Sequence, residues 1–192
     1  GPTGMRGETG TTGIDGKAGE KGETGYTGRA GIDGKGTFTM VNNFLNNLNI
    51  IEIVDSSTIR KVSQIPGWNA NTYTLQGYIC FNLSFTVSSM YPNVFVGLSS
   101  FPSLNTYTSN IEYGFHINDD RSICIFENDN LIKICTGEFT PTTVFSIQYN
   151  GHSIQYFIDG FLVLSTPVDL IHPLHANFIP WGGDYFINNI HF

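Results

Sequence analysis

Glycine occupies every third position from residue 1 to residue 34 without a miss: Gly1, Gly4, Gly7, Gly10, Gly13, Gly16, Gly19, Gly22, Gly25, Gly28, Gly31 and Gly34. Background glycine use is about 7 per cent, so twelve phased glycines lie far beyond chance. The physical demand behind such a pattern is a crowded threefold axis, to which each of three extended chains presents every third residue and at which no side chain fits. Residues 1–34 therefore predict a collagen-like triple-helical stalk with these glycines on its axis, and a chain that works as a homotrimer. At about 3.1 Å per residue the stalk is a rod on the order of 100 Å long.

The stalk holds one proline, Pro2, so little of its backbone is preset to the polyproline II geometry. Charge is the visible compensation. Arg6 with Glu8, and Lys21 with Glu23, place a cation in the third triplet position and a carboxylate in the next second position. That spacing suits axial ion pairs between chains, each worth roughly 0–1 kcal/mol at an exposed surface. The other third positions are mostly Thr, Ala and Asp, solvated outward sites at which Thr also offers an attachment point for sugar. The triplet phase breaks at Gly34-Lys35-Gly36, which sets the expected domains: stalk 1–34, neck 35–51, head 52–192.

Beyond the stalk, five cations (Lys35, Arg60, Lys61, Arg121, Lys133) face eleven carboxylates. No basic stripe is available to neutralise phosphates, which argues against a nucleic-acid partner. No apolar run approaches the ~20 residues that cross a membrane as a helix, so membrane insertion is not expected. The three cysteines, Cys80, Cys124 and Cys135, do not form a disulfide framework. Free thiols are expected; a bond between Cys124 and Cys135, which flank a hairpin, is the alternative.

In the neck, Val41, Phe44, Leu45, Leu48 and Ile51 fall at helical spacing, although the intervening Asn residues are poor helix formers. The spacing predicts a short helical turn or irregular neck in which Val41, Phe44, Leu45 and Leu48 pack against their copies, followed by a strand; Ile50–Val54 reads as a strand in its own right. From there on the pattern is β. Short β-branched and aromatic runs recur every 8–12 residues between Asn, Asp, Gly and Pro punctuation, which predicts an antiparallel sandwich or barrel. The expected strands are 58–63, 77–87, 93–98, 111–117, 122–127, 131–135, 144–149, 152–158, 161–165 and 185–192. Asn150-Gly151 and Asp159-Gly160 predict tight two-residue hairpin turns, and Asn128-Asp129-Asn130 a similar one.

Two ladders then carry a resemblance. Gly67-Trp68-Asn69-Ala70 with Tyr73, followed by a Phe-rich strand and Val96-Gly97-Leu98, is the first. Ile147-Gln148-Tyr149-Asn150-Gly151 through Tyr156-Phe157-Ile158-Asp159-Gly160 is the second. Placed after a Pro-poor collagen run, they resemble the heads of giant-virus (mimivirus-like) collagen-like proteins and of some phage fibres. The resemblance implies a concanavalin-A-like jelly roll, lectin-like and trimeric, on a virion surface. It also implies a glycoprotein whose collagen lysines are hydroxylated and glycosylated; here that bears on Lys21 in the third triplet position, and not on Lys17 in the second.

The residues themselves offer little catalytic chemistry. There is no nucleophile elbow, phosphate loop or paired-cysteine zinc motif. His172 and His175 straddle Pro173, and Asn118-Asp119-Asp120 with Asp129 reads as turn chemistry rather than a calcium loop. Glu112, Glu127 and Glu138 form no Glu-x-Asp-x-Glu strand of the glycosidase kind. No catalytic residue, metal or cofactor is expected. Asn82-Leu83-Ser84 is the one glycosylation sequon, and it falls in an expected strand. Trp68, Tyr73, Trp181 and Tyr185 sit in or beside Gly-, Asn- and Pro-rich loops, where aromatics serve either as platforms for sugar or protein or as core caps and interface filling. The sequence thus leads to a non-enzymatic, homotrimeric virion fibre whose head registers the stalk and offers these aromatics to host glycan or protein. The alternative is a ligand-free assembly cap of the complement or exosporium type, expected as a ten-stranded jelly roll.

Overall fold

Alternating apolar and polar residues fold here into fourteen strands, and parity decides which side chains meet. The computed structural model describes residues 1–5, 7, 10, 38–46, 50–63, 65–183 and 185–192. The chain divides into two units, Gly1–Gly31 and Ile32–Phe192. In the first, the described residues have no helix or strand. An added Cβ at Gly1, Gly4, Gly7 or Gly10 would meet no atom within 4 Å. Lys21 and the phased glycines from Gly13 onward lie outside the described residues.

The second unit is an antiparallel sandwich of two seven-stranded sheets. Sheet A runs β1 (Met40–Asn42), β4 (Thr72–Thr74), β13 (His175–Pro180), β6 (Val94–Ser99), β7 (Tyr113–Ile117), β8 (Ile123–Glu127), β9 (Asn130–Cys135). Sheet B runs β12 (Phe161–Pro167), β11 (Ser153–Ile158), β10 (Phe145–Tyr149), β5 (Asn82–Val87), β14 (Phe186–His191), β3 (Thr58–Lys61), β2 (Ile51–Asp55). The inner faces bury Val94, Val96, Leu98, Phe115, Ile117 and Phe178 from one sheet against Leu83, Phe85, Phe145, Ile147, Ile154 and Tyr156 from the other. Aromatic rings join them. Phe115 meets Phe145 at 5.4 Å and Tyr156 at 5.5 Å edge to face, and Phe85 stacks on Phe145 at 5.4 Å. Such pairs add about 0.5–1.5 kcal/mol beyond the area they bury.

Eleven of the fourteen strands match the expected ones within a few residues, Ile50–Val54 appearing as Ile51–Asp55 and the largest trimming being 77–87 to Asn82–Val87. The hairpin chemistry holds at two turns. Asn128-Asp129 and Asp159-Gly160 are two-residue loops with φ of 49°, 65°, 49° and 78°. At Asn150-Gly151 the turn moves one residue on: Asn150 N donates to Ser153 O, so Gly151 and His152 form the loop. Asn150 Oδ1 accepts from the His152 and Ser153 amides, which fixes it at the first position of the turn.

The helical neck does not form. Val41 is the middle residue of β1, half-buried and opposite Tyr73. Phe44 and Leu45 stand exposed in the turn that follows, Asn43 Oδ1 taking the Leu45 amide, and Leu48 lies outside the described residues. The Asn side chain competes for backbone donors and closes a turn where the spacing suggested a helix. Strands β4 and β13 were not expected either. His175–Pro180 is a central strand covered on both faces, so it lacks the alternation that marks half-buried strands, and its flanking prolines mimic loop punctuation. The sandwich has fourteen strands, not the ten expected of a complement-type cap.

Cys124 and Cys135 are free and buried. Register explains why no bond joins them: Cys124 lies opposite Ile134 and Cys135 opposite Ile123, so the two thiols point to opposite faces.

Candidate functional site

The outer face of sheet A carries a second apolar cluster, separate from the main core, built on Phe95, Ile111 and Ile179 with Trp68 and Phe126 packed against it. Two glycines make the floor. A Cβ on Gly97 or Gly114 would meet Ile111 Cγ2 at 2.7 or 2.6 Å, so only glycine lets Ile111 lie across β6 and β7. Toward one end of this face, Trp68 sits edge-on to Trp181 (4.9 Å), Phe95 (5.5 Å) and His116 (5.7 Å), while His116 stacks on Phe95 at 4.0 Å. Both tryptophans are half-buried, leaving part of each indole to solvent.

Hydrogen bonds hold the frame. Lys61 is only 1% exposed, and its Nζ donates to Gly67 O (2.8 Å), Asn69 Oδ1 (3.1 Å) and Trp181 O (2.7 Å), with Pro180 O at 3.4 Å. One ammonium thus ties the loop bearing Trp68 to the turn bearing Trp181, and Gly67 N adds a bond to Trp181 O. Burial lowers the Lys61 amine to about 8, so it still carries its charge at neutral pH. Asn93 is the second hub. Its carbonyl accepts from Trp181 N (2.8 Å) and the Tyr185 hydroxyl (2.6 Å), and its side-chain oxygen faces His116 Nε2 at 3.0 Å. Desolvation lowers His116 to about 4, against the opposing pull of Asp119 and Asp120, so the imidazole is neutral at physiological pH.

Of the four aromatics singled out in the sequence, Trp68 and Trp181 come together. Tyr185 is buried and spends its hydroxyl on Asn93, so it is a structural strut rather than a platform; burial pushes its phenol well above the usual range. Tyr73 lies in β4 rather than a loop, half-buried opposite Asn177, and shares no ring contact with the tryptophans. Lys61, Asn93, Phe95 and His116 were not anticipated. Lys61 did leave a trace: it shares the inward parity of Ile59 in β3, where a lysine is out of place unless something accepts its protons.

Glu112, Glu127 and Glu138 do not form a hydrolytic pair. Glu127 points inward, buried beside Tyr113, and lies opposite it in register. Glu112, one residue earlier than Tyr113, therefore belongs to the opposite face and accepts the Ser100 amide at 2.6 Å. Glu138 is exposed, 3.1 Å from Arg121. Asp120 and Asn118 are absorbed by their own turn through Ser122. His175 is not a free loop histidine: it opens β13 with Nδ1 2.8 Å from Thr74 O. Among the described residues no three His, Cys, Asp or Glu gather as metal ligands, and no helix is long and apolar enough to cross a membrane.

The sequence matches no protein-family model and no curated protein. Its fold is nevertheless shared. The chain is similar to the PSpry domain of TRIM65 (TM-score 0.58, 11% identity, 79% of this chain and 90% of that one). It is also similar to the β-glucanase of Bacillus licheniformis (0.54, 11%, 85% and 93%) and to the potassium-bound carbohydrate recognition domain of Emp46p (0.50, 10%, 81% and 87%). The head therefore has the antiparallel jelly-roll sandwich fold that these domains share. At these identities the likeness establishes the fold and nothing finer.

Proposed function

We propose that the chain is a non-enzymatic fibre subunit. Three copies wind residues 1–34 into a triple helix, the β head brings them into register, and the tryptophan face binds carbohydrate, displayed threefold on a virion surface. A stalk with one proline nucleates badly alone, and joining it to an associating head raises the effective concentration of its three strands. The stalk reading is supported by the lack of any reason for Gly1, Gly4, Gly7 and Gly10 within their own chain: neither crowding nor positive φ requires glycine there.

The ligand reading rests on one observation, the Trp68–Trp181 pair held at 4.9 Å by Lys61 and Asn93 with indole surface still open. Fixed indoles beside polar loop groups suit the apolar faces and hydroxyl rims of sugars. The Emp46p domain lends support as a carbohydrate recognition domain of the same fold. A glycan array probed with the full chain, Trp68→Ala and Trp181→Ala is the test. Signals lost in both variants are expected. A blank array for the native chain sinks the ligand reading and leaves an assembly head without a ligand.

A further inference from the structure

The end of the sandwich that carries Phe38, the first described residue of the head, has an apolar surface. Phe38 meets Phe192 edge-on at 6.4 Å, and Phe192 meets Tyr78 at 5.2 Å. Leu75 N donates to Thr39 O, and Tyr78 exchanges two backbone bonds with Leu174. On this floor Leu75, Ile79 and Ile171 are 58%, 42% and 76% exposed. The exposed Cys80 follows directly. Leu75 is thus bonded next to Phe38, Ile79 follows Tyr78, and Ile171 lies three residues before Leu174, the partner of Tyr78.

The far side of the sandwich is also apolar. Edge strand β9 exposes Leu131, Ile132 and Ile134, and edge strand β12 exposes Phe161 and Leu162; Lys133 Nζ, bonded to Val163 O at 2.7 Å, places the two strands on one side. Chemistry does not distinguish the two surfaces, but chain length does. Three residues, and so four Cα steps, separate Gly34 from Phe38, a reach of about 14 Å at full extension. Strand β9 stands six strand steps from β1 in sheet A, about 29 Å at ordinary strand spacing. If three stalks share one axis, three copies of Phe38 are held close to it, and the far side is not.

We infer that the base formed by Leu75, Ile79 and Ile171 over Phe38, Tyr78 and Phe192 is the surface on which the heads of three copies meet. This rests on the trimeric stalk reading above and adds where the head takes part. Aliphatic side chains without polar partners fit it: their gain comes from exclusion of water, which needs a matching apolar surface rather than a directional ligand.

The native Cys80 supplies the probe, since Cys124 and Cys135 are buried. The full chain is sized by light scattering and treated with a short-armed bismaleimide. A trimer that yields a covalent dimer band, absent in Cys80→Ser, is expected. The double variant Leu75→Asp/Ile171→Asp should weaken assembly roughly hundredfold, whereas Ile132→Asp/Phe161→Asp should leave the trimer mass unchanged. All four positions are exposed, and tryptophan fluorescence checks that each head still folds; the cross-linking arm leaves the patch itself unaltered. A trimer without the Cys80 band, or one dissolved by the far-side variant and not by the base variant, overturns the inference while the trimer stands. A monomeric native chain overturns the trimeric reading as well.

Discussion

The tryptophan face and the base of the head both expose apolar carbon, yet they are built in opposite ways. Around Trp68 the frame is polar: Lys61 bonds the backbone of both tryptophan loops, and Asn93 holds Trp181 N and His116. At the base, the exposed side chains themselves are aliphatic, Leu75, Ile79 and Ile171, beside the packed rings of Phe38, Tyr78 and Phe192. Directional anchoring suits a ligand that must be oriented. Unanchored aliphatic surface suits a second protein surface that merely has to fit. Assembly and ligand capture should therefore be separable, and substitutions can test that separation.

The most severe, Gly97→Ala, undermines both surfaces by driving a methyl into Ile111 and the Tyr113 carbonyl across sheet A. A loss of about 3 kcal/mol of head stability is expected, read by thermal or denaturant unfolding. Lys61→Met should act on the tryptophan face alone. It strips Gly67 O and Trp181 O of their ammonium partner, at about 2 kcal/mol, and lowers glycan binding while light scattering still reports a trimer. Equal loss of assembly would collapse the distinction.

Acid acts next. His116 titrates at about 4 in the folded chain against 6.5 in the unfolded one, so between these values the unfolded state binds more protons. Stability is full above about pH 6.5 and falls as pH drops toward 4, by about 1–2 kcal/mol after discounting for the ring's partial exposure. Comparing unfolding of native and His116→Phe heads at pH 7 and pH 4.5 isolates this term. The smallest expected effect is that of Trp68→Ala, about tenfold in glycan affinity and read by titration, with the trimer mass untouched.

Reading order from residues worked where the physics is local. Alternating strands and the Asp159-Gly160 turn depend on a few neighbouring residues. It failed at β13, whose burial on both faces erases alternation, and at the neck, where Asn43 closes a turn that the spacing of Val41, Phe44 and Leu45 disguised as a helix. The site was half legible. Trp68 and Trp181 stood out as loop aromatics, but the charge that aligns them lies 120 residues from one of them along the chain, in β3.

By itself the sequence determined the sandwich class of the head, because twofold alternation is written into residue order. Only the tertiary structure decided that Lys61 bridges two tryptophan loops, that Tyr185 is a strut, and that Cys124 and Cys135 face apart. Each depends on which distant strands become neighbours and in what register. That choice is made by the packing of the whole core, not by any one segment.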